Sequence, residues 1–124
     1  MKQALKYVAI GALSFLTVIF LESLGMALVH HLPRTEIYSI HGFSHIFFGI
    51  GLASFILFFR PKLSARFVVL VVMLVGIAWE LHEGAWLQGE PIDSLEDVVL
   101  AILSSSTFLC LIRRKEKSEA HHSS

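Results

Sequence analysis

The sequence predicts an all-α polytopic membrane protein, a four-transmembrane-helix bundle, and three observations carry that prediction. Hydrophobic residues make up 55% of the 124 and charged residues only 16%, with a mean hydropathy of +0.70, which is outside the range of ordinary soluble domains. The apolar residues fall into four runs close to the ~20 residues a helix needs to cross a hydrocarbon core of roughly 30 Å. The Lys and Arg residues punctuate those runs almost entirely on one side. No separate soluble domain fits: residues 1–112 are expected to form a single four-helix domain, and 113–124 a polar, disordered cytoplasmic tail.

The first run extends from Tyr7 to Val29, behind Lys2 and Lys6, with Glu22 as its one acid. A cleaved signal peptide would share the basic start and the small residues Ser23 and Gly25. The apolar run resumes at Met26 to Val29, which a cleaved peptide would not need, so a span is the reading adopted. The segment His30 to Ser39, with Pro33 and Arg34, ends the helix as a loop. A second span runs from about His41 to Phe59, rich in phenylalanine, and its Gly49 and Ala53 form a small-xxx-small pair that lets another helix approach closely. Arg60-Pro61-Lys62 ends it, since Pro61 cannot continue a helix without losing a backbone bond. The third span is Phe67 to Leu87, with Trp79 and Trp86 bracketing its end and Trp86 placed as an interfacial anchor. After a turn at Gly89-Glu90-Pro91 the fourth span runs from Ser94 to Ile112 and stops at Arg113-Arg114-Lys115. The single cysteine, Cys110, rules out an intrachain disulfide and reads as a packing residue.

Charge placement gives the orientation, because short loops rich in Lys and Arg stay cytoplasmic. Nine of the ten basic residues lie at one end of the predicted bundle, and only Arg34 lies at the other. Both termini are therefore expected in the cytoplasm. The acids do the opposite: Glu22, Glu36, Glu80, Glu83, Glu90, Asp93, Glu96 and Asp97 fall in the outer half, together with His30, His31, His41, His45 and His82. With a rise of ~1.5 Å per residue, Glu22, His45, Glu80 and Asp97 are expected roughly 6 to 12 Å below the outer surface, one from each helix. Ionisable groups within spans are costly and normally face a bundle interior or a wet cavity. A polar pocket open to the outer side follows.

Each group has a structural reading beside the chemical one. Asp93-Ser-Leu-Glu96 has the spacing of a capping box, which assigns Asp93 and Glu96 to the helix start. Asp97 stands where a hydrophobic staple would want an apolar residue, so it is a functional candidate. His45 either locks helix register by donating to Glu80 or Asp97, or ligates a metal. His82, two residues after Glu80, lies on the opposite face of the third helix.

The pieces His45-Ile-Phe-Phe-Gly49, Trp79-Glu80 and Asp93-Ser-Leu-Glu-Asp97 resemble those of VanZ-like small integral membrane proteins and their YjdF-type relatives, over roughly residues 40 to 112. Relatives often carry an Asn four residues after the second Asp, a Gly about three later and a Gln near the Glu. Ala101 and Ser104 stand at the first two positions here, and the Gln is missing. The resemblance implies a four- or five-helix envelope protein, with glycopeptide resistance known for a few members. By position, His45, Glu80, Asp93 and Asp97 match the polar residues of that family.

Two classes of function stay open. One is a membrane enzyme acting on a lipid-linked envelope molecule, with His45, Glu80 and Asp97 holding a metal or serving as acid and base. The other is a non-enzymatic binder or carrier of a cation, lipid head group or drug. A bis-His haem between His45 and His82 is a third reading, disfavoured by the surrounding carboxylates. Several carboxylates at one depth need compensation, by shared protons, by pairing with His or Arg34, or by a divalent cation held by His45, Glu80 and Asp97 with Glu22 or His41 completing the shell. One imidazole with two or three carboxylates suits zinc, manganese or iron(II). The partners implied are membrane lipids. Nucleic-acid binding has no support, since the basic residues follow topology and attraction to anionic lipid.

Overall fold

The computed structural model describes residues 1–87 and 91–123, with side chains described for 1–82 and 95–123. It holds four helices, α1 (Lys2–Leu28), α2 (Arg34–Phe59), α3 (Ala65–Leu87) and α4 (Pro91–Ser123). Each contains a stretch long and apolar enough to cross a membrane. The architecture is thus the all-α four-helix bundle that the hydropathy pattern requires, and the chain is a multi-pass membrane protein. The turn expected at Gly89-Glu90-Pro91 falls largely outside the described residues. So do the side chains of Glu83, Trp86 and Asp93, and with them the capping box.

Three of the differences from the expected boundaries have a plain local reason. The loop expected from His30 to Ser39 shrinks to residues 29–33, and α2 begins at Arg34 with Pro33 as its N-cap. A proline there fixes φ and loses no intrahelical bond by lacking an N–H, while Ile37 gains a buried position one turn in. At the start of α3 the Ser64 hydroxyl accepts from the Phe67 N–H at 3.3 Å and the Ser64 carbonyl from Val68 at 3.1 Å, a serine N-cap that sets the first turn at Ala65.

The third difference is the tail. Residues 113–123, expected to be disordered, continue α4 as helix. Arg, Lys, Glu and Ala are strong helix formers, and two contacts tie this stretch to the bundle. Arg113 Nη2 donates to the Leu63 carbonyl at 2.7 Å, and the Glu116 carboxylate accepts from the Tyr7 hydroxyl and the Gln3 amide at 2.6 Å each. Tyr7 is buried by this arrangement. The start of α1, the α2–α3 turn and the end of α4 therefore share one end of the bundle, and nine of the ten Lys and Arg residues are gathered there.

Helix α2 is the centre of the assembly. It packs along α1 on one side and α4 on the other, while α3 lies mainly against α4. Small residues make both close seams. On the α1 side Gly11 and Ser14 face Ser54 and Gly51, where a Cβ on Gly51 would come within 3.1 Å of Ser14 Cβ. On the α4 side a Cβ on Gly49 would meet the Ala101 carbonyl and Ser104 Oγ, each at 2.5 Å, which is a clash. Ala53, Ala101 and Ser105 continue this seam fully buried. The small-xxx-small pair Gly49 and Ala53 is thus the surface on which α4 docks. Outward, Leu13, Leu16, Ile19, Phe20, Phe55 and Leu103 are exposed, as a lipid-facing surface requires.

Candidate functional site

Helices α2 and α4 run in the same direction, and residues four apart on each keep one face. His45, Gly49 and Ala53 on α2 therefore meet Asp97, Ala101 and Ser105 on α4 in a constant register. Because Gly49 brings the two backbones together, the side chains one turn nearer the outer end, His45 and Asp97, are pressed into contact: His45 Nε2 lies 3.2 Å from Asp97 Oδ2. The third member comes from α3, whose Glu80 Oε1 lies 3.8 Å from the same nitrogen. The three side chains are only 10–15% exposed. One ligand atom from each falls within 4.8 Å of the others. No other group of three or more His, Cys, Asp or Glu side chains is this close among the described residues.

Counted along the helices, the centre is about 17 Å from the first residue of α2, about 10 Å from the last of α3 and about 9 Å from the first of α4. It is therefore within the membrane-crossing part of the bundle. Two carboxylates at this separation in a poorly solvated place repel unless positive charge or a shared proton stands between them. The imidazole occupies that place, with one nitrogen turned toward both acids. A tetrahedral zinc site with bonds near 2.1 Å has ligand atoms ~3.4 Å apart, and the observed 3.2 and 3.8 Å bracket that spacing.

The structure divides the five residues expected to share a metal. Glu22 and His41 make their own pair between α1 and α2, with His41 Nδ1 3.1 Å from Glu22 Oε2. Both are more open, at 31% and 42% side-chain exposure, and neither belongs to the three-residue centre. The reason is the antiparallel packing of α1 on α2: Gly25 leaves room for the His41 ring, 3.6 Å from where its Cβ would stand, so His41 turns to α1 and not to α4. His82 is exposed on α3, its ring 6.1 Å from that of Trp79. It is not a member of the three-residue centre.

Sequence reasoning missed Ser44, which is 3% exposed and faces the Glu22 carboxylate. The only signal was its spacing of three from His41. It also missed a groove that reaches one member of the centre. A cavity of about 460 Å³ lies along α2 and α4, with Asp97 in its wall. Thr35, Tyr38 and Ser39 line its outer part, and Phe43, Ile46 and Leu100 its deeper part.

Comparison with known protein families, with curated proteins and with solved structures finds no match.

Proposed function

We propose that the chain is a small envelope membrane protein of the VanZ-like kind whose functional centre is the group His45, Glu80 and Asp97, and that this centre acts on a lipid-linked envelope molecule. The observation that carries the reading is the convergence of three ionisable side chains, from three helices, inside the membrane-crossing part of the bundle. Groups so placed are costly to bury, and function is the default reason for their presence. The excess of Lys and Arg at the opposite end puts that end in the cytoplasm, which turns the centre toward the outer leaflet. The groove along α2 and α4 gives a head group a route to Asp97 without passing through the packed seams.

The donor set, one imidazole and two carboxylates, fits one divalent cation such as zinc, manganese or iron(II). Bound there, a cation would polarise an oxygen of the substrate or activate a water. The residues of the chain do the rest. Asp97, lining the groove, receives the polar end of the incoming molecule. Glu80 holds the imidazole from the α3 side; in the absence of a cation, His45 would instead carry or release a proton at Nε2 between the two acids.

Elemental analysis of the protein, after mild purification, tests the centre. His121 and His122 are replaced by Ala so that the end of α4 contributes no adventitious ligand. About one equivalent of a divalent metal is expected, lost in His45→Ala with the helical circular dichroism kept. Metal-free protein that still converts lipid-linked substrate would overturn the metal and leave a proton-sharing centre. Substrate retained without conversion by metal-loaded protein would favour the carrier.

A further inference from the structure

A second cavity, of about 690 Å³, lies between α3 and α4 at the basic end of the bundle, far from the centre just described. Four cations line it: Arg66 from α3, and Arg113, Arg114 and Lys117 from α4. Its walls toward the bundle are apolar, built by Ala65, Val69 and Leu109. Positive charge at this end follows from topology alone, but topology does not require charge from two helices to surround one cavity with an apolar wall. Lys2, Lys6, Arg60 and Lys62 meet the same topological demand and line no part of it.

The acid closest in sequence is turned away. Glu116 gives its carboxylate to Tyr7 and Gln3 on α1, with Arg113 Nη1 at 3.5 Å. Arg113 is also held by the Leu63 carbonyl, so it fixes the rim of the cavity. Arg66, Arg114 and Lys117 are exposed and supply the charge. Cations at the membrane surface with hydrocarbon directly beneath them match one ligand chemistry: a phosphate joined to acyl chains.

We propose that the seam between α3 and α4 binds one anionic phospholipid, its phosphate against Arg66, Arg114 and Lys117 and the start of an acyl chain along Val69 and Leu109. The site is independent of the His45 centre. Its volume takes a head group and the first part of one chain, and the remainder of the lipid stays in the bilayer. Cys110, the only cysteine of the chain, lines the same cavity, so it reports occupancy without background.

Native mass spectrometry of the full chain in detergent, titrated with phosphatidylglycerol or phosphatidylcholine, tests the proposal. One phosphatidylglycerol should be retained selectively. Retention should fall roughly a hundredfold in Arg66→Gln/Arg114→Gln/Lys117→Gln, and stay within about twofold of the parent in the equally neutralised control Lys2→Gln/Lys6→Gln/Lys62→Gln. Equal losses in the two triple variants would reduce the effect to surface charge and overturn the site, as would equal retention of the zwitterionic lipid. A second measurement needs no variant: phosphatidylglycerol should slow alkylation of Cys110 at least tenfold relative to phosphatidylcholine, on the same arithmetic. Unchanged alkylation would place the lipid elsewhere, and equal protection by inorganic phosphate would make this an anion site and not a lipid site. Either result overturns the proposal.

Discussion

One nitrogen of His45 is turned to two acids, and that arrangement fixes the order in which substitutions should do harm. His45→Ala removes the positive or hydrogen-bonding group between Glu80 and Asp97 and leaves two carboxylates facing each other, which should destabilise the protein by about 2 kcal/mol. Adding Asp97→Asn should recover part of the loss, because one of the repelling charges is gone. Thermal unfolding in detergent, followed by tryptophan fluorescence, checks both, and a double variant weaker than His45→Ala would show that charge repulsion is not the cause. Asp97→Asn and Glu80→Gln should each lower the metal binding or activity proposed for the centre more than Asp93→Asn, since asparagine still caps a helix. At the other end of the molecule, Tyr7→Phe deletes the hydroxyl that donates to Glu116 at 2.6 Å. A loss of about 1 kcal/mol is expected in the same assay, and no change would mean that water replaces the bond without cost.

Between α2 and α4 the decisive side chain is the one that Gly49 lacks. Gly49→Ala drives a methyl group against the Ala101 carbonyl and Ser104, so the helices must part and His45 must withdraw from Asp97. A cost of about 1–3 kcal/mol is expected, with loss of the metal proposed for this centre. Gly76→Ala is the control, since its Cβ would rest 3.8 Å from Val98 at ordinary contact distance. Similar melting temperatures for the two variants would contradict the close approach. Much of this seam was legible in the sequence: His45 and Gly49, and Asp97 and Ala101, are one turn apart on their helices, and buried acids demand company. The choice of partner was not legible, because periodicity reports which residues share a face and not which helix that face meets. Depth groups Glu22 with the others and His41 joins them only as a ligand that could complete the shell, and it is the α1–α2 packing that separates both from the centre. Likewise Pro33 reads as a helix stop in the sequence, while in the fold it is the residue before a helix start.

Across the whole molecule the neighbours run α1, α2, α4, α3, with the basic residues at one end and the centre toward the other. In a Cys110→Ser background, cysteines at His31 and Lys62 should label from opposite sides of the membrane, Lys62 from the cytoplasm. Labelling of His31 from the cytoplasm would invert the topology and remove the outer-leaflet reading. The hydropathy runs made the helix count legible, but not the order of packing, because short loops allow several arrangements of four helices. That order has a consequence for biosynthesis. The α1–α2 hairpin can close in the membrane as soon as both helices leave the ribosome, whereas α2 cannot meet its parallel partner until α3 has crossed and α4 has followed. A chain released after α3 would carry His45 and Glu80 without Asp97, and the docking face of Gly49 and Ala53 would lie open to lipid or to another nascent helix. The group His45, Glu80 and Asp97 is thus complete only once α4 has been made, and a chain interrupted before it is recognisable by the seam it leaves unfilled.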